Sequence, residues 1–169
     1  MEQDRYRPPV RLPLSRRERV LLGIGAGCLA AAGVWLALNW AQIPAIIPTH
    51  YGFSGKADGF GPKGSLVFLY GIGWAVWGLP ALVRQYPRSW NVADNHLTGA
   101  YKAGPAGERL YRLTGELLCQ MAAGIGGIFA FLCRWSPGGA DLPVWALPVF
   151  LLLLFGPVGA YFYRARRGR

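Results

Sequence analysis

Apolar residues in this chain come in long unbroken runs, without the alternation of strands or the heptads of a coiled coil. Residues 20–49 contain no Asp, Glu, Lys or Arg, and neither do residues 64–83, 117–133 or 142–163. Together these runs hold more than half of the 169 residues. A helix rises about 1.5 Å per residue, so about 20 apolar residues cross a hydrocarbon layer of roughly 30 Å. Three runs reach that length unaided, and residues 117–133 do so when extended back to Leu113, with Glu116 as an acid near the edge. Helices that are apolar all round read as membrane spans, because a soluble helix keeps a polar face. The pattern predicts an all-α, polytopic membrane protein with four transmembrane helices, over 20–42, 64–83, 114–134 and 143–163.

Composition supports this reading and charge orients it. Hydrophobic residues make up 53% and charged residues 15%, against about 25% charged in an average soluble domain. Disorder and a disulfide-rich miniprotein are excluded, since three Cys cannot form a complete framework. Cys28, Cys119 and Cys133 all fall within spans, where small apolar packing is expected; Cys133, near a span end, is a candidate for pairing between subunits. The net charge of +10 would suggest nucleic acid in a soluble protein. Here 15 of the 18 Lys and Arg residues lie before the first span, between the second and third, and after the fourth. Basic flanks stay cytoplasmic, so both termini are expected inside (N-in/C-in). The chain then divides into a basic tail 1–19, a membrane domain 20–134, and a segment 135–169 carrying an outer loop, the fourth span and a basic tail. Within the domain, 43–63 is the outer loop and 84–113 the inner loop. The lipid bilayer is the expected partner, with anionic head groups as a second use of the charge, and nucleic acid is not.

Several motifs resolve into simpler readings. The apolar run after the basic tail is too long for a signal peptide, and Ser15-Arg16-Arg17 lacks the apolar residue a twin-arginine signal needs where Arg19 stands. Gly23-Ile24-Gly25-Ala26-Gly27-Cys28 resembles part of a dinucleotide-binding turn, but no strand precedes it and no acid follows at the ribose position. Gly23, Gly27 and Ala31 instead form a small-residue stripe for helix packing, as do Ala123/Gly127 and Gly156/Ala160, with a homo-oligomeric face as a possible use. Gly61-Pro62-Lys63-Gly64-Ser65 has phosphate-loop residues in the wrong order and reads as a turn. Pro143, Pro148 and Pro157 predict a kinked fourth helix.

The outer loop is the informative segment. Pro44 and Pro48 break the helix as it leaves the bilayer, and Ser54-Gly55 and Asp58-Gly59 are turn dipeptides. Tyr51, Phe53 and Phe60 suit the head-group layer, so the loop is expected to lie flat on the interface. His50, Ser54 and Asp58 contain the ingredients of a nucleophile–base pair, but nothing in the sequence brings them together, and hydrogen bonding within the loop is the favoured role of His50 and Asp58. Too few ligands are present for a metal, and no cofactor is expected.

The run Ile43-Pro44, Ile47-Pro48, His50-Tyr51-Gly52, Gly55, Asp58-Gly59-Phe60-Gly61 and Lys63 resembles the signature of a bacterial membrane domain of unknown function. That domain forms the N-terminal part of SdpI-type immunity proteins, which protect cells against a secreted peptide toxin. Tyr86-Pro87-Arg88-Ser89-Trp90-Asn91-Val92 and Glu108-Arg109-Leu110-Tyr111-Arg112-Leu113-Thr114 are similar to two further segments of the family, in its order and spacing. The resemblance covers about 20–134. Ile43 departs from the usual Leu and Ala93 from the usual Pro, and the immunity proteins carry a second membrane domain that these residues do not hold. The resemblance implies a multi-pass protein of the bacterial cytoplasmic membrane. It implies a non-enzymatic interaction or sensing module, in which Pro44, Pro48, His50, Tyr51, Gly55, Asp58 and Lys63 contact an extracytoplasmic peptide or a membrane partner protein. Tyr86, Pro87, Trp90 and Asn91 would relay or anchor on the inner side.

The remaining chemistry is sparse. Pro105 is placed to begin the third helix in the cytoplasm, with Glu108 and Arg112 as a pair four apart. Glu116 is the single acid at membrane depth and hence a functional candidate. Its shallow position favours snorkelling or a pair with Arg112. The runner-up function is a small transporter or transporter subunit built on Glu116, with Asn39 and Gln42 at the outer end of span one.

Overall fold

The first helix begins before its apolar run because Ser15 and Glu18 cap it reciprocally. Ser15 Oγ accepts from the Glu18 N–H at 3.2 Å, and Glu18 Oε2 accepts from the Ser15 N–H at 2.8 Å. This capping box satisfies donors that a helix start otherwise leaves open, so Ser15-Arg16-Arg17 is a helix start. The computed structural model describes residues 13–87, 90 and 105–167; Asn91 and His96 lie outside them. Helix α1 (Arg16–Asn39) ends in a 3-10 turn, Trp40–Gln42. Strands β1 (Ile46–Tyr51) and β2 (Ala57–Pro62) follow, then α2 (Ser65–Val83), α3 (Pro105–Trp135), a 3-10 turn at Ser136–Gly138 and α4 (Ala146–Arg166). All four predicted helices are present, each long and apolar enough to cross a membrane.

The all-α expectation needs one correction: residues 46–62 form an antiparallel hairpin. Ile46 and Ile47 favour extended backbone, and the opposing strand is made slim by glycine. A Cβ on Gly59 would lie 2.9 Å from the His50 Cβ, and one on Gly61 would lie 3.0 Å from the Thr49 Cγ2. Gly55 turns the chain with φ +81°, a conformation that costs glycine little. Pro48 has no N–H to offer a ladder, and the register shifts between Pro48 and His50 and again before Tyr51.

Helix α3 is the hub. It packs against α1, α2 and α4, while α1 and α2 touch lightly. The glycines responsible are not the predicted ones. A Cβ on Gly126 would come within 2.5 Å of the Gly25 carbonyl oxygen, so these residues let α1 and α3 meet backbone to backbone. Gly23, Gly27 and Ala31 face outward, with open space where a Cβ would stand on Gly23 and Gly27. The inward stripe is Gly25, Leu29, Ala32 and Leu36, whose bulk gives α1 its buried face. Gly124 makes the contact with α4, at 3.0 Å from the Leu153 oxygen for a Cβ, whereas a Cβ on Gly127 would meet nothing.

In α4, Pro143 lies before the helix and Pro148 in its first turn, where an N–H is not needed; Pro157 is the interior proline. Cys133 is fully buried among Ala32, Leu36, Ile43, Ile47 and Leu66, which removes it from any pairing between subunits. Large apolar side chains remain exposed on the outer flanks, including Phe68, Leu79, Leu152 and Phe155.

Candidate functional site

The hairpin sits at one end of the bundle and is fastened there from below and from the side. Below, the Lys63 ammonium donates to the Trp40 oxygen at 2.9 Å and the Ile43 oxygen at 3.3 Å, and stands 5.1 Å from the Trp40 ring centre. It adds a donor to carbonyls just beyond the end of α1, where a cation is favourable. From the side comes the α3–α4 connection. Ser136 Oγ donates to the buried Pro48 oxygen, Asp141 Oδ1 accepts from the Ala57 N–H at 2.9 Å, and the Leu142 N–H donates to the Gly55 oxygen at 2.8 Å. Gly55 is crowded there as well: a Cβ would lie 3.0 Å from the Leu142 oxygen.

This frame brings His50 and Asp58 together. His50 Nδ1 and Asp58 Oδ1 are 2.5 Å apart across the strands. Gly52 gives the carboxylate room, since a Cβ on it would stand 2.8 Å from Asp58 Oδ2. Both side chains are more than half exposed, at 72% and 51%. Ser54 makes no hydrogen bond among the described residues and does not join the pair. No group of three or more metal-ligating side chains occurs among the described residues. Pro44 is exposed and Pro48 buried.

Tyr51 points its hydroxyl inward, where it is buried without a hydrogen-bond partner among the described residues. Burial lifts its phenol above the ordinary range. Tyr51 lines a cavity of about 230 Å³ beneath the hairpin, together with Ile47, Leu66, Ile72, Leu132 and Ser136. Phe53, in the turn, is 93% exposed and Phe60 on β2 62% exposed. The hairpin thus combines a polar His–Asp pair, two bare aromatic rings and an apolar hollow.

At the opposite end the central feature is one that the spans and loops of the sequence did not point to, an ion pair between Glu18 and Arg84. Arg84 Nε lies 2.6 Å from Glu18 Oε1, and both side chains are almost fully buried. Gly115 makes the space: a Cβ there would fall 2.6 Å from Arg84 Nε and 2.8 Å from Glu18 Oε1. Ser15 followed three residues on by Glu18, ahead of an apolar run, is the signal that identifies Glu18; Arg84 has none beyond its place after a span. Beside this pair, Trp90 donates from Nε1 to the Val83 oxygen at 2.7 Å and stacks on Tyr111 at 5.8 Å. Pro87 is buried and Tyr86 exposed. The predicted pair of Glu108 and Arg112 is present at 2.6 Å.

Glu116 has different partners from those expected. Its Oε2 lies 2.7 Å from Arg164 Nη1 on α4 and 3.5 Å from Arg17 Nη1 on α1, while Arg112 is engaged by Glu108. An i−4 partner loses to the two guanidiniums because α1 and α4 both place an arginine at the same level.

Residues 26–83 match a family described as a domain of unknown function, DUF1648. The matched stretch runs from α1 through the hairpin to the last residue of α2. It contains Pro44, Pro48, His50, Tyr51, Gly55, Asp58 and Lys63, and it ends before Tyr86–Val92 and Glu108–Thr114. No curated protein and no solved structure matches the chain.

Proposed function

We propose that the chain is a non-enzymatic interaction or sensing module of the bacterial cytoplasmic membrane, presenting its hairpin on the outer face to a peptide or a partner protein. Exposed apolar flanks on α1, α2 and α4 support insertion, since lipid is a solvent they tolerate and water is not. The concentration of arginine at the end away from the hairpin supports an N-in/C-in orientation. The carrying observation is the fastened hairpin: Lys63, Ser136, Asp141 and Leu142 fix a strand pair whose Phe53 and Phe60 rings stand free. Ordering an exposed aromatic surface in advance lowers the cost of binding. The resemblance of the hairpin motif to SdpI-type immunity proteins supports a peptide as the occupant. Tyr86, Pro87 and Trp90 adjoin the Glu18–Arg84 pair that joins α1 to α2, and serve as the inner relay or anchor, with Asn91 following them.

The test uses a photocrosslinking side chain at Phe53, in intact cells given a purified secreted peptide toxin of the kind that SdpI-type immunity proteins protect against. An adduct with the peptide is expected, and its loss when Ser136→Ala and Asp141→Ala release the hairpin. A membrane-impermeant maleimide run in parallel is expected to label Lys56→Cys and spare Arg166→Cys. Correct labelling without any adduct removes the peptide-binding reading.

A further inference from the structure

A second groove lies on the flank of the bundle, where α1 and α4 stand apart over α3. It is about 410 Å³ in volume and is lined by Leu21 and Cys28 of α1, Gln120 and Gly127 of α3, and Leu153 and Pro157 of α4. Its walls are almost wholly apolar. The Gln120 side chain makes no hydrogen bond among the described residues.

Helical spacing carries all three walls to one charged end. Arg17 lies four residues before Leu21, Glu116 four before Gln120, and Arg164 seven after Pro157, so each continues its own helix's lining stripe. Those three side chains meet: Glu116 is 2.7 Å from Arg164 and 3.5 Å from Arg17. Two guanidiniums against one carboxylate leave net positive charge. Each guanidinium offers five N–H donors, and Glu116 engages one nitrogen of each. From Arg17 to Cys28 the groove runs roughly 16 Å at about 1.5 Å per residue.

We propose that this groove holds one anionic phospholipid of the cytoplasmic leaflet, an inference that rests on the membrane reading above. The phosphate sits at Arg17 and Arg164, the Gln120 amide donates to an ester carbonyl one turn deeper, and an acyl chain lies over Gly127 toward Cys28. Polarity along the groove follows the order of a lipid: charge, amide, hydrocarbon. Charge complementarity also decides against a second copy of the chain, which would bring its own arginine-rich end to the same level.

Native mass spectrometry of the intact protein, delipidated and offered dioleoyl phosphatidylglycerol or dioleoyl phosphatidylcholine, tests this. One phosphatidylglycerol is expected to be retained with a preference of about fivefold per engaged guanidinium. The preference is expected to vanish in Arg17→Gln/Arg164→Gln and to persist in Arg166→Gln/Arg167→Gln, which removes equal charge beyond the groove. Gly127→Leu fills open space and is expected to abolish retention without disturbing the helices, so the test stands even if the double arginine variant misfolds. Equal retention of both lipids, a preference unaffected by the Arg17/Arg164 change, loss of preference to inorganic phosphate alone, or a dimer in place of the lipid adduct overturns the proposal. Carbonate extraction of the same membranes separates the two readings. Release of the protein sinks membrane insertion and this site with it, whereas a retained protein without lipid preference sinks the site alone.

Discussion

Gly115 sets the limit on what the arginine end of the bundle tolerates. The Glu18–Arg84 pair takes two charges out of solvent, and such a pair holds only while each partner answers the other. Glu18 does so while also capping α1, so one carboxylate closes a helix start and binds the end of α2. Arg84→Met is expected to lower stability by about 3–5 kcal/mol, because it leaves a buried carboxylate unanswered. Gly115→Ala is expected to cost about 1–3 kcal/mol by forcing a methyl against both side chains. Thermal unfolding in detergent measures each. In the double variant Glu18→Gln/Arg84→Met the loss is expected to fall short of the sum of the single changes, as it does for residues in contact.

At the scale of elements the hairpin is the unit with consequences. A two-stranded hairpin is marginal by itself, and this one is stable because α1, α2 and the α3–α4 connection each hold part of it. Asp141→Ala removes the acceptor for the Ala57 N–H, and amide exchange at Ala57 and its neighbours is expected to accelerate about tenfold or more, equivalent to about 1.4 kcal/mol. Exchange within α1 and α3 is expected to stay unchanged. The helices were legible in the sequence because charge-free runs of this length have few other readings, and the start of α3 at Pro105 and the Glu108–Arg112 pair followed from local rules. Two prolines and several glycines made 43–63 look like an irregular loop. What turned it into a hairpin were contacts 88 and 84 residues away, at Ser136 and Asp141, which no local pattern announces. The packing glycines were misassigned for a related reason. Gly23, Gly25 and Gly27 look alike along the chain, and only the partner helix decides that Gly25 faces Gly126.

Across the whole molecule, α3 joins two differently built ends, one at the hairpin held by hydrogen bonds to backbone groups and one held by ion pairs among the arginines. Helix α4 packs principally on α3, and its link to α1 passes through Glu116, whose carboxylate lies between Arg164 and Arg17. Intramembrane acids with a carrier role face the bundle interior or a water-filled cavity, whereas this carboxylate stands at one end of the bundle between arginines of two neighbouring helices. Glu116 therefore fits a strut between helices better than a carrier. The two roles separate in one variant. Glu116→Gln keeps the shape of the side chain, removes its charge, and is expected to cost no more than about 1 kcal/mol, since both arginines are partly exposed and such pairs contribute little. In proteoliposomes carrying a pH-sensitive dye, the variant and the parent protein are expected to give the same proton leak. A flux present in the parent and lost in the variant would return Glu116 to the centre of the mechanism and make the molecule a transporter.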